Sequence, residues 1–339
     1  MGKKNSIVIT NVDSLLGYAV SYRFLQDWNR EQSQSKGPTE FKLLCKNTEG
    51  LEDLTRLGGK IIQVQRYDDI HAMNQIMQGV YYVMFIPEAS DSRIQEGQAV
   101  LQCAKEQDVD YVAMFSYLGL GAIEKSVVEN RNIAKFMHLK QFLCLEQQLN
   151  KLFDQNKYCI FRTPLWHQFF FYLGPMMDDE NAIQLPIGEH TKWQTIDLAD
   201  LVDAVYRLSL PGKRDENKTL FEFTLDHNMT SKEIVEAAQK GLDQQIKFKQ
   251  VDPNVFKDYL KRMHHDNRFK KRPFSDRPYT FPLGQYLHHE TIETLVEWFE
   301  LMEQEEIKPT SDLQDAIETR PQSIQDFFKQ NRNQFRRLR

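Results

Sequence analysis

The feature that most constrains this chain is the alternation of short apolar runs with helical patterns across its first 162 residues. Ser6–Thr10 ("SIVIT"), Phe41–Cys45 ("FKLLC"), Lys60–Val64, Tyr81–Ile86 ("YYVMFI"), Tyr111–Phe115 ("YVAMF") and Lys157–Arg162 each read as a strand. Between them lie helical stretches. One starts near Asp13 or Ser14 and places Leu15, Leu16, Ala19, Val20 and Phe24 on one face; "LEDLTRLGG" stops at Gly58; others begin at Ile70 and Ile94; and "FMHLKQFLCLEQQLNKLF" is long. Apolar strands separated by helices bury both faces of a parallel sheet, with right-handed crossovers. The fold class is therefore α/β, with residues 1–162 expected as a doubly wound domain.

After Arg162 the pattern changes. "TPLWHQFFFYLGPMM" is aromatic and without period. "TIDLADLVDAVYRLSL" reads as a strand-like piece followed by a helix capped by Asp197 or Asp200. "TSKEIVEAAQKGL" opens with a capping box, "QQIKFKQV" is a short strand, and residues 261–277 read as a basic loop. A helix over 290–306 and two short ones near the end follow. A chain of 339 residues exceeds the usual ~100–200 residues of one domain. Residues 163–339 are expected as a smaller lobe, with 190–225 packing back on the first domain.

Composition excludes some functions. The net charge of −5 gives no global pull toward nucleic acid or an anionic membrane. No apolar run reaches the ~18 residues of a membrane span, and "MGKKNS" runs straight into a strand, which argues against a signal peptide and a myristoylated arm. Cys45, Cys103, Cys144 and Cys159 sit singly in apolar stretches and read as reduced, buried thiols of an intracellular protein, which leaves the sequons at Asn217 and Asn228 without meaning. The His pairs at 264–265 and 288–289 lack the spacing of a helical metal site, so no metal is expected.

The turn after the first strand is the first functional candidate. A dinucleotide turn uses glycine for a tight bend, for backbone contact with pyrophosphate and for helix–strand packing. Here those positions are Asn11, Ser14 and Gly17. Asn11 tolerates a left-handed backbone, and Gly17 keeps the packing role. The Ser14 hydroxyl could donate to a phosphate, whereas a carboxylate at Asp13 would satisfy the helix's free N–H groups itself and repel an anion.

The run "VITNVDSLLG" resembles the "VTGATGxxG" opening of the NmrA-like atypical short-chain dehydrogenase/reductases. Further resemblances follow in order: "LLCKN", "VQRYDDIHAMNQIMQGVYYVMFIPEA", "YVAMFSYLGLG", "HLKQFLCLEQQL", "CIFRTPLW", "TIDLADLVDAV" and the closing "TRPQSIQDFFKQNRNQF". The resemblance implies a Rossmann sheet whose cofactor site is drawn from Thr10, Asn11, Asp13, Ser14, Leu15, Leu16, Gly17, Lys46, Asp68, Ile86, Pro87, Ser116 and Lys140. Lys46 falls where a 2′-phosphate would lie and no acid replaces it, which favours NADP(H) over NAD(H).

Ordinary short-chain reductases place a proton-donating Tyr four residues before a Lys, whereas some quinone- and isoflavone-reductase-type relatives lack that Tyr and rely on the Lys. Ser116 and Lys140 match the outer positions, but Phe136 stands where the Tyr would be. Tyr117 and Tyr172 are the remaining hydroxyl candidates, and Lys140 retains a role on the nicotinamide ribose. By resemblance, Trp166, His167 and Phe169, with Phe170 and Phe171, line a substrate pocket; an aromatic core is the competing reading. The basic residues of 261–277 and the tail "RNQFRRLR" read as solvated rather than as a nucleic-acid surface.

Two functions stand open. One is a cytoplasmic or nuclear regulatory protein and redox sensor that binds NAD(P)(H) without Tyr-type catalysis and acts on a protein partner such as a transcription regulator. The other is an NADPH-dependent reductase of a small carbonyl or quinone, using Lys140 with Ser116. A scaffold that has lost the cofactor is the third possibility. The chain is expected as a monomer or homodimer.

Overall fold

The strands and helices of the first half follow the β–α alternation. In this computed structural model, which describes residues 4–31, 40–128, 135–210, 215, 217–273 and 277–338, they run β1 (Ser6–Ile9), α1 (Leu15–Glu31), β2 (Glu40–Cys45), α2 (Glu52–Arg56), β3 (Lys60–Gln63), α3 (Ile70–Met77), β4 (Val80–Phe85), α4 (Arg93–Glu106), β5 (Tyr111–Tyr117), α5 (Leu120–Val128), α6 (Met137–Leu152) and β6 (Tyr158–Thr163). Residues 1–3 of the myristoylation-like start, residues 274–276 of the basic 261–277 run and the last residue of the tail lie outside the described residues.

One seven-stranded sheet has the order (Leu220–Glu222)–β6–β5–β4–β1–β2–β3. Pairings β4–β5, β4–β1, β1–β2 and β2–β3 are all parallel. The strand order reverses between β1 and β4, the switch point at which doubly wound sheets open their ligand crevice. The strands are buried on both faces: Val8, Val83 and Val112 pack with Met73, Leu101 and Leu145 of the covering helices. Local chemistry sets the helix ends. Asp69 caps α3 by accepting the Ala72 N–H at 3.0 Å, and Gly58, at φ 93°, ends the segment after α2.

The chain divides into two compact units, the first of Met1–Tyr117, Lys140–Arg162 and Val205–Phe221, the second of Leu118–Leu139, Thr163–Ala204 and Glu222–Arg339. The division is more interleaved than a single boundary at residue 162. Of the stretch 190–225, the first unit takes Val205–Phe221, and the second unit is not the smaller one.

The second unit is built on aromatic packing. Its segment "TPLWHQFFFYLGPMM" is not irregular: it forms a strand at Leu165–Trp166, a 3-10 turn and a helix, Phe170–Asp179, that contains Pro175. Phe170 to Met177 are all buried, so this helix has no polar face to give it a period. Helix α5, hidden in the sequence by Gly119 and Gly121, is a further element of this unit. The capping box on Thr230 and Glu233 is present. The stretch 261–277 is not all loop. Its first residues complete the helix Pro253–His265, capped by Asp252, and Arg268 is tied to Asp266 at 2.7 Å and to the Leu338 carbonyl at 2.6 Å. Among the described residues no helix is long and apolar enough to cross a membrane, and no group of three or more His, Cys, Asp or Glu is placed to hold a metal.

Candidate functional site

The turn between β1 and α1 lies at the switch point of the sheet. Thr10 closes β1 against β4: its Oγ1 accepts the Ile86 N–H at 2.8 Å and donates to the Ile86 carbonyl at 3.0 Å. Asn11 takes the left-handed conformation the tight bend needs, at φ 53°, and its Nδ2 donates to the Pro87 carbonyl at 3.2 Å. Gly17 packs against this bend so closely that a Cβ there would lie 2.0 Å from the Asn11 carbonyl oxygen. The shape of a dinucleotide turn is therefore intact without two of its glycines.

Its chemistry is different. Helix α1 starts at Leu15, and the cap is Ser14, not Asp13. The Ser14 Oγ accepts the Gly17 N–H at 3.0 Å and donates to the Asn11 carbonyl at 2.7 Å, so it is not held ready for a phosphate. Leu15 and Leu16 are buried in the core. The Asp13 carboxylate, expected to cap the helix, instead reaches the end of β2, where Oδ2 accepts the N–H groups of Lys46 at 3.0 Å and Asn47 at 2.7 Å.

Three residues that the sequence reading did not select complete this cluster. Tyr67 is buried, with its hydroxyl accepting the Asn11 N–H at 2.9 Å and donating to the Leu44 carbonyl at 3.1 Å. Glu96, on α4, holds the Lys46 ammonium at 2.8 Å, and Glu88, one residue past Pro87, lies 3.7 Å from it. Burial pushes the Glu88 carboxyl up to about 7, against the pull of Lys46, and its Oε1 is buried with no hydrogen-bond partner. The acid beside Pro87 in "FIPEAS" was the available signal; the Tyr67 contact depends on long-range pairing and had none. Asp68 is engaged elsewhere, accepting from Arg66 Nε at 2.8 Å and Gln95 Nε2 at 2.5 Å, and the Arg66 guanidinium holds it below the usual carboxylate range.

A nicotinamide dinucleotide would need a seat here for its pyrophosphate and, in its phosphorylated form, for its 2′-phosphate. As folded these residues do not fit. The N–H groups of Asn11, Val12, Ser14 and Gly17 are bonded within the chain, the lysine suited to a 2′-phosphate is paired with Glu96, and Asp13, Glu88 and Glu96 surround the position.

The catalytic candidates are partly in place. Ser116, at the end of β5, is buried and its Oγ has no hydrogen-bond partner. Lys140 is half-buried on α6. Phe136 precedes α6 at φ 60° and brings no hydroxyl. Tyr117 packs edge-on to Phe142, and burial raises its phenol further from neutrality. Tyr172 donates its hydroxyl to the Leu283 carbonyl at 2.6 Å. Neither tyrosine is poised as an acid.

In the second unit, Trp166 is half-buried and donates to Thr163 Oγ1 at 3.1 Å. His167 is fully buried and bonds through Nε2 to the Thr195 carbonyl at 3.1 Å; burial lowers its imidazole to about 4. Phe169 packs among Phe170, Tyr172, Phe256 and Phe299. His167 and Phe169 thus stand in core rather than on a free pocket wall.

A sequence profile described as the NmrA-like family matches residues 30–317, beginning at the end of α1. A search of curated proteins returned no match. Among solved structures, the NADPH-dependent quinone oxidoreductase of Escherichia coli complexed with NADPH is similar over 96% of this chain and 99% of its own, with 16% identity and a TM-score of 0.69. The triphenylmethane reductase of Citrobacter sp. complexed with NADP(H) is similar over 96% and 99%, at 16% identity and a TM-score of 0.67. NmrA, a negative transcriptional regulator, in complex with NAD is similar over 97% and 95%, at 11% identity and a TM-score of 0.66. At these identities the likeness fixes the fold, and it matches the doubly wound sheet read from the residues. With the family profile spanning most of its length, the chain belongs to the NmrA-like family.

Proposed function

We propose that this chain is a regulatory member of its family that transfers no hydride and acts, in the cytoplasm or nucleus, through a protein partner of the transcription-regulator kind. The observation that carries the reading is Phe136: four residues before Lys140, where an ordinary short-chain reductase has the hydroxyl that protonates the developing alkoxide, there is a phenyl ring. The tyrosines that could substitute are committed or pushed away from neutral titration by burial. The similarity to NmrA, whose structure holds NAD, supports the regulatory class.

A second reading, an NADPH-dependent reductase of quinones or carbonyls, is favoured by one observation. Ser116 Oγ is buried without a partner, which is costly unless something polar meets it. The E. coli and Citrobacter structures with NADPH and NADP(H) support this class.

The test is turnover. Purified protein is incubated with NADPH or NADH and a panel of quinones, carbonyls and dyes, and nicotinamide oxidation is followed. The regulatory reading expects rates equal to buffer. Turnover that disappears in Lys140→Ala overturns it in favour of the reductase.

A further inference from the structure

We infer that the β1–α1 turn of this chain is completed by its own residues in place of a dinucleotide phosphate, with the Asp13 carboxylate as a built-in anion. Anion binding at such a turn depends on free N–H groups and on a favourable local charge. Four of the turn's donors are already used: Asn11 N–H goes to Tyr67 Oη, Val12 N–H to the Leu44 carbonyl at 3.0 Å, Ser14 N–H to the Asn11 carbonyl at 3.1 Å, and Gly17 N–H to Ser14 Oγ.

Asp13 then does what a ligand would do at the far side of the crevice. The end of β2 is where this fold class holds the adenosine end of a dinucleotide. Here that loop gives the Lys46 and Asn47 amides to the Asp13 carboxylate. The side chain of Lys46 turns away to Glu96, at 2.8 and 3.0 Å, and to Glu88. Glu96 is further fixed by Ser92 Oγ at 2.9 Å, and the backbone of Glu88 by Arg93, whose Nε donates to its carbonyl at 2.6 Å. A doubly charged pyrophosphate entering this position meets the Asp13 and Glu96 carboxylates, with the one lysine already shared between Glu96 and Glu88. Like charges at such range, in a partly buried site, oppose binding rather than assist it.

The closed turn is a separate matter from the absence of hydride transfer, since a regulator could hold a dinucleotide and reduce nothing. The experiment is a calorimetric titration of the full chain with NADPH, NADP, NADH and NAD, with a thermal melt in each ligand. The expected result is no saturable heat and no rise in melting temperature up to about 1 mM ligand. The double variant Asp13→Ser with Glu88→Gln, which restores a hydroxyl at the turn and removes two carboxylates, is expected to bind NADPH at least about tenfold tighter than the parent. Saturation of the parent below about 100 µM overturns the inference. So does a folded double variant that binds no better than the parent. If the double variant does not fold, the parent titration and melt decide alone. A parent that binds NADPH tightly yet shows no turnover would overturn this inference and leave the proposed regulatory function standing.

Discussion

Asp13 and Asn47 are joined across the crevice end of the sheet: the carboxylate of the first turn accepts the backbone N–H that follows β2, at 2.7 Å, and the neighbouring Lys46 N–H at 3.0 Å. One side chain thereby bonds two crossovers of the parallel sheet and fills the place of an external anion.

Asp13→Ala leaves both amides without that acceptor. Hydrogen bonds to a charged group contribute about 1.5–3 kcal/mol, and solvent will recover part of this because Asn47 is exposed. The expected loss is about 1–2 kcal/mol in urea unfolding. A midpoint unchanged from the parent would show that the clamp contributes nothing to folding.

Tyr67→Phe removes only an oxygen, but a buried one that serves the Asn11 N–H and the Leu44 carbonyl together. Two buried backbone groups lose a partner, and the expected cost is about 1–3 kcal/mol. The measurement is the same unfolding midpoint, with hydrogen exchange of the Asn11 amide as a local reporter. Unaltered protection of that amide would contradict the assigned bond.

Gly17→Ala places a methyl where backbone already stands, 2.0 Å from the Asn11 oxygen. Helix propensity would favour alanine by about 1 kcal/mol, so the sign separates the two effects. Overlap with rigid backbone dominates, and the expected outcome is destabilisation by more than about 3 kcal/mol, or loss of soluble protein. A stabilised variant would mean that α1 sits further from the turn than the structure has it.

Glu88 makes stability depend on pH. Its carboxyl is raised by burial to about 7 from an ordinary 4.5, so the folded state holds its proton across a range where the unfolded chain has released it. That group therefore weakens the fold progressively as pH rises from about 4.5 to about 7, and the full cost remains above. Glu88→Gln removes the effect. The variant is expected to be more stable than the parent at pH 8, by on the order of 3 kcal/mol, with the difference shrinking toward pH 5. Parallel pH–stability curves for the two proteins would refute the assignment.

The sequence by itself determined the class of fold, because the features that encode it are local. Each of the six runs from "SIVIT" to Lys157–Arg162 is a strand within about two residues of its expected ends, and strand burial follows directly from unbroken apolar stretches. Asn11 and Gly17 were legible for the same reason: a left-handed bend and a close helix approach are properties of a few consecutive residues. The helical segment after Leu165 was not, since burial on all sides erases the period that marks a helix. What only the tertiary structure decided is the direction of the charged side chains at the crevice. Asp13 meets a partner 33 positions away, Tyr67 bonds the turn 56 positions before it, and Lys46 pairs with Glu96 50 positions on. Parallel crossovers bring these residues together, and no spacing along the chain records which carboxylate a lysine will face once they do.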